Sequence, residues 1–139
     1  MAGTATPIFP QTIKNYVTQI VNADASNLKT ILTGAANGTL LNRIWVCSND
    51  SSARDLQFYV TIGGTDYLIG TLSIPASSGF TNAVPQVGVF ESTQFPSMFL
   101  DNNGNKVMRI ESGAILKVKA LTTVTSAKAI SIFCQGGEF

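Results

Sequence analysis

The stretch that most constrains this chain is residues 54–74, RDLQFYVTIGGTDYLIGTLSI. Leu56, Phe58, Val60 and Ile62 alternate with Gln57, Tyr59 and Thr61, a period of two that sets four apolar side chains on one face of a strand. Gly63-Gly64-Thr65-Asp66 follows, and a second apolar run leads through Tyr67, Leu68 and Ile69 to Leu72 and Ile74. Glycine reaches the positive φ angles of a tight connection, so the pattern predicts a β-hairpin. Burying the four apolar residues of its first strand is worth at most roughly 6–12 kcal/mol. That gain requires a second sheet packed over the hairpin.

Shorter runs of the same kind fill the rest of the chain. Residues 13–21 place Tyr16, Thr18 and Ile20 on one face, with Ile13, Val17 and Val21 apolar besides. A helix through Ile13, Val17, Ile20 and Val21 competes, and the β-branched content favours a strand. Further strands are expected over residues 28–33, over 40–48 with Trp45 and Arg43, and over 87–90. Residues 98–100 and 107–110 read as a hairpin around Asp101-Asn102-Asn103-Gly104-Asn105. Residues 113–121 turn Ala114, Leu116, Val118 and Ala120 inward and Lys117 and Lys119 outward. A last strand over 128–134 turns Ile130, Ile132 and Cys134 inward, and 135–139 read as a tail. Turn clusters such as Asn37-Gly38 separate the runs. The pattern predicts an all-β fold: a single-domain antiparallel β-sandwich or jelly roll over residues 12–139. Residues 1–11 form an extended N-terminal arm, because Pro7 and Pro10 remove two amide donors and hold the backbone open. Ile8 and Phe9 between them either fold back on the core or dock on a neighbouring subunit.

Charged residues make up only 12% of the chain, against an ordinary fraction of about 25%. So neutral a surface suits a protein partly covered by other chains. With net charge +1 and no dense basic stripe, nucleic acid is not an expected partner. No apolar run approaches the ~20 residues that span a bilayer, so no membrane is expected either. The start Met1-Ala2-Gly3-Thr4 does not read as a signal peptide, which gives the expectation of a soluble protein made in the cytoplasm.

Chemistry finds little to work with. The chain has no histidine, which removes the commonest general base and metal ligand. Cys47 and Cys134 lie in apolar runs and read as two reduced core thiols, with a disulfide open only if their strands are neighbours. Two cysteines without histidine cannot complete a zinc site. Asp24, Asp50, Asp66 and Asp101 stand singly in turns, where aspartate usually bonds its own backbone. The loop from Asp101 begins like a calcium loop but lacks its ligand spacing. No catalytic residue, metal or cofactor is expected, and the chain does not read as an enzyme.

Several segments together carry a likeness. TPIFPQTIKNYVTQIVNAD, LKTILTGAANGTLLNRIWVCSND and ARDLQFYVTIGGTDYLIGTLSIP, with the later LDNNGNKVMRIESGAILKVKA and ISIFCQGGEF, span nearly the whole chain. Their pattern resembles the head decoration, or cement, proteins of tailed bacteriophages. The resemblance implies a jelly-roll-like domain that associates with itself, as a homodimer or homotrimer. It further implies a protein that clamps neighbouring major capsid proteins on the outside of the virion. On that reading the arm (Thr6, Pro7, Ile8, Phe9 and Pro10) and the loop of residues 75–96 make the contacts between subunits. Phe9 is the apolar anchor, with Phe80 and Phe90 in the loop and Phe139 at the end of the chain as further interface candidates. The rival is a carbohydrate-binding or fibre- or tail-associated β module, with Tyr67, Phe80 and Phe90 as the candidate aromatic platforms for a sugar.

Overall fold

Alternation becomes strand wherever the sequence displays it. The computed structural model describes residues 9–139, so Thr6, Pro7 and Ile8 lie outside the described residues. Ten strands follow in order: β1 (Thr12–Val21), β2 (Lys29–Thr33), β3 (Thr39–Ser48), β4 (Arg54–Ile62), β5 (Thr65–Ile74), β6 (Val87–Gly88), β7 (Phe99–Leu100), β8 (Lys106–Ile110), β9 (Ile115–Ala120) and β10 (Ala129–Glu138). A single 3-10 turn at Asn22–Asp24 is the one helical element among the described residues.

The strands form two antiparallel sheets. One runs β1-β10-β3-β8-β7, with β6 also on β3, and the other runs β2-β9-β4-β5. Setting aside the two-residue strands β6 and β7, the pairs β1·β10, β2·β9, β3·β8 and β4·β5 make one long antiparallel ribbon. Its tip is the 54–74 hairpin, and the ribbon rolls so that successive pairs alternate between sheets. That is jelly-roll topology, the arrangement of two Greek keys wrapped round one core. Gly63 and Gly64, with φ of 60° and 81°, make the turn at the tip.

The core lies between the sheets, where Leu41, Ile44 and Val46 of β3 face Leu56 and Phe58 of β4 and Leu116 and Val118 of β9. Ala114, Leu116, Val118 and Ala120 are all buried, as are Ile130, Ile132 and Cys134, so both inward sets match their expected phase. The first strand of the hairpin departs from its expected phase. Leu56 and Phe58 are buried, Val60 is half-buried and Ile62 is 47% exposed. The ladder with β5 slips between Phe58 and Tyr59, where Ile69 is the extra residue. Thr61 on the other face is buried instead, donating from its hydroxyl to Asp66. The gain available to that strand is therefore that of two full residues and part of a third.

Two further irregularities interrupt the ladders, the first being Ile31, an extra residue in β2 opposite the step from Leu116 to Lys117 in β9. Asn42 is an extra residue in β3, opposite the step from Gln135 to Gly136 in β10. It lets Leu41 and Ile44 face the same core although they stand three apart. Gly136 lies so near β3 that a Cβ there would stand 1.9 Å from the Leu40 carbonyl oxygen. The expected tail of residues 135–139 is strand instead, since β10 continues to Glu138, held by Thr12 and Thr39 on either side.

The loop of residues 75–96 gives more to the core than its composition suggested. Phe90 is only 2% exposed, so as a surface contact it is withdrawn: Val89 bonds to the Ile44 carbonyl and draws Phe90 inward. Phe95 fills the space left by Gly70 and meets Phe58 edge to face at 5.9 Å. Cys134 is a core thiol, whereas Cys47 is half-buried on the outer face of β3. Both are free thiols, and their opposite facing excludes a bond between them although β3 and β10 are neighbours.

Candidate functional site

The most buried charge is the natural place to look for chemistry. Asp50 has no solvent exposure. Its Oδ1 accepts bonds from Ser52 N–H at 3.0 Å and Thr125 Oγ1 at 2.8 Å. Its Oδ2 accepts from Arg54 Nε at 2.9 Å and Thr125 N–H at 3.0 Å. Burial alone would push the carboxyl up, but these four bonds outweigh it and hold the group well below the usual carboxylate range. Thr125 Oγ1 also accepts from Arg54 Nη2. Both carboxylate oxygens have two partners within the fold, so Asp50 is a rivet between the 49–54 and 121–128 loops, with its carboxylate already committed.

Three of the other aspartates are likewise held by local partners. Asp24 pairs with Lys29 at 3.0 Å and Asp66 with Lys117 at 3.2 Å. Asp101 accepts from the amides of Asn103 and Asn105, which makes its loop a hairpin turn as the sequence suggested. A recess of about 500 Å³ does gather Arg43, Glu91, Asp101 and Lys106, with Asp101 already committed to its turn. Among the described residues no three acidic or cysteine side chains converge on a common point.

What stands out is apolar. On the outer face of the β1-β10-β3 sheet, Val17, Phe133 and Trp45 stand side by side, placed by the pairs Val17↔Phe133 and Phe133↔Trp45. The Phe133 and Trp45 rings stack with centroids 4.5 Å apart. Val17 is 63% exposed and Ile13, on the same face of β1, is 87% exposed. Phe80, 64% exposed, adjoins this face beside Cys47 and Ser131. The outer face of the opposite sheet is polar over β4 and β9, and on β5 it carries Leu68, 53% exposed opposite Tyr59. There Tyr59 donates to Gln57, Lys119 lies 5.4 Å over the Tyr59 ring, and Lys117 pairs with Asp66.

A second apolar feature lies at the mouth of the sandwich, between the β7–β8 hairpin and the β4–β5 hairpin. A groove of about 440 Å³ is lined by Val60, Ile62, Ile69, Met98, Phe99 and Met108 among others. Phe99 in its lining is exposed, as is the next residue, Leu100.

The interface residues expected from sequence are scattered over this map. Phe9 is 66% exposed where the arm leaves the sheet, and Pro10 is half-buried against Gly137. Gln11 N–H bonds to the Glu138 carbonyl, which ties the root of the arm to β10. Phe139 is half-buried and its amide bonds to Gly38. Phe80 joins the apolar sheet face, and Phe90 does not reach the surface. The principal members of that face, Ile13, Val17, Trp45 and Phe133, were not expected as contacts. Their signal was the second apolar phase of β1, opposite to Tyr16 and Ile20, and it pointed outward.

No protein-family model, curated protein or solved structure matches this chain.

Proposed function

We propose that the protein is a capsid decoration protein, binding the outside of a bacteriophage head and bridging neighbouring major capsid proteins. The observation that carries this reading is the strip of Val17, Phe133, Trp45 and Phe80 along one outer face, with Val17 and Phe80 63% and 64% exposed. A face of that kind, on a rigid jelly roll, suits burial against protein at small desolvation cost. The resemblance of its segments to cement proteins directs the partner toward the major capsid protein. Phe9, 66% exposed at the start of the described residues, adds to the contact, and the groove lined by Phe99 offers a second point of attachment.

The competing carbohydrate-binding reading gains nothing from its aromatics. Tyr67 lies on β5 in one sheet, Phe80 stands beside the outer face of the other, and Phe90 is in the core. These residues make no shared platform.

The test is co-sedimentation of labelled protein with expanded heads that lack it. Saturation at a copy number set by the head lattice is expected, together with greater resistance of the heads to disruption. Val17→Lys, at an exposed position the fold tolerates, should weaken binding by at least about tenfold if a fully apolar contact receives an unpaired charge. Absence of saturable binding by the unaltered protein would overturn the reading.

A further inference from the structure

Among the described residues β1 is an outer strand, bonded to β10 on one side only. Its ladder runs without a slip from Thr12 to Val21. Backbone groups therefore alternate: one residue's N–H and C=O face β10, the next residue's face away. The outward set is identified by two members that are already occupied. The Gln19 carbonyl accepts from Lys29 Nζ, and the Val21 amide donates to Asp24 at 2.8 Å. Ile13, Asn15 and Val17 share that parity, and no described group bonds to their backbone. The edge is thus closed at its end by the Asp24–Lys29 pair and open over residues 13–17. An open, apolar strand edge is a template for pairing with another chain, and most folds cover or break it.

We propose that two copies of the chain pair β1 to β1 across a two-fold axis, with Asn15 opposite Asn15 of the second copy. The occupant follows from register. A two-fold makes the pair antiparallel and the surface self-complementary. Centring it on Asn15 sets Ile13 against Val17 of the second copy and Val17 against its Ile13. All three open residues then exchange both N–H···O bonds with their opposites. On the other face, Lys14 comes beside Tyr16 of the second copy. The Tyr16 hydroxyl donates to Glu138 at 2.9 Å, so an ammonium meets an aromatic ring and a carboxylate. Neither Lys14 nor Glu138 has a salt-bridge partner among the described residues.

The neighbouring registers fail on named groups. Centring on Lys14 puts two ammonium groups directly opposite, a repulsive cross-strand pair. Centring on Tyr16 sets Ile13 against Gln19, whose carbonyl Lys29 already holds. The result joins two six-stranded sheets edge to edge and brings two copies of the Val17–Phe133–Trp45 strip onto one continuous face. This dimer stands on the strand edge alone and does not rest on the capsid reading, which is tested with heads.

The experiment uses the isolated full chain. Sedimentation equilibrium should give a dimer, and Asn15→Lys, which sets like charges across the axis, should raise its dissociation constant on the order of tenfold or more. Register is read by crosslinking in a Cys47→Ser background. Asn15→Cys should form an intermolecular disulfide on mild oxidation, since opposed Cα atoms in such a pair are about 5.5 Å apart. Ile13→Cys, displaced from its own copy by four residues along the strand, should not. A monomeric protein, whether the edge stays bare or residues 1–8 cover it, overturns the proposal. So does a dimer indifferent to Asn15→Lys, or one in which Ile13→Cys crosslinks as readily as Asn15→Cys.

Discussion

Replacing Asp50 by alanine tests the assignment of the buried carboxylate as a rivet. The side chain has no exposure and accepts four hydrogen bonds, two from backbone amides and two from side chains. Its cationic partner Arg54 is itself largely buried, with 13% of its side chain exposed. Alanine leaves the guanidinium and the Ser52 and Thr125 amides without their acceptor. Removing one partner of a buried pair costs about 3–5 kcal/mol, a large share of the 5–15 kcal/mol that holds a typical domain together. For a chain of this length that corresponds to a fall in Tm of roughly 10–20 °C. Thermal and urea unfolding followed by circular dichroism at pH 7 would measure it. A loss below about 1 kcal/mol would refute the reasoning, because the bonds would then be no better than those made to water.

The pH dependence gives the same residue an independent check. Its carboxyl is held well below the ordinary value of 3.8. A depressed folded pKa contributes stability that is fully present above the unfolded value and is lost as pH falls toward the folded one. The unaltered protein should therefore shed this contribution as the pH drops below about 4. Asp50→Asn, which cannot ionise, should be less stable than the unaltered protein at pH 7, with the gap narrowing below pH 4. A gap that stays constant down to pH 2 would mean that charge at Asp50 has no part in the stabilisation.

Gly136→Ala should destabilise by about 2–3 kcal/mol, because the added Cβ meets the Leu40 carbonyl backbone at 1.9 Å and one strand must move; Gln135→Ala, exposed on the same strand, should change little. Urea midpoints compare the two, and equal effects would contradict the close approach. Thiol labelling of the native protein at pH 8 should modify Cys47 and leave Cys134 intact, since burial pushes the Cys134 thiol up to about 12. Mass spectrometry after proteolysis reads the site, and modification of Cys134 without unfolding would contradict its burial.

The parts of this fold that were legible in the sequence are those where period two runs unbroken. Over residues 114–120 and 130–134 every inward residue was assignable, because no extra residue lies within either stretch; the one shift opposite them, at Ile31, falls in the partner strand β2. The phase failed where one residue is inserted: Asn42 in β3 and Ile69 in β5 each shift the pattern by one, and an apolar neighbour on both sides hides the shift. Leu40-Leu41 and Leu68-Ile69 look alike in sequence, yet Leu41 is buried and Leu68 is exposed. Phe90 was misread for a related reason. A loop rich in serine, glycine and proline suggests surface, but Phe95 occupies the gap over Gly70 and Phe90 closes the core beside β3, contacts between segments far apart in the chain.

The candidate surface was hidden differently. Ile13 and Val17 were visible as apolar, and the strand they share with Tyr16 and Ile20 has room for only one buried face. Once β1 lies at the edge of its sheet, the second apolar phase has no core to enter. Sequence alone supplies the two phases; topology decides which is surplus, because only the order β1-β10-β3 aligns Val17 with Phe133 and Trp45. Those three residues come from three strands, with Val17 and Phe133 at opposite ends of the chain, each apolar on its outward side. A jelly roll that needed nothing from its surroundings would carry polar residues there, as the opposite sheet does with Gln57, Lys117 and Lys119. The exposed Val17, and the half-buried Phe133 and Trp45 in part, leave apolar surface in water, and that cost is the physical support for the proposal that a partner covers them.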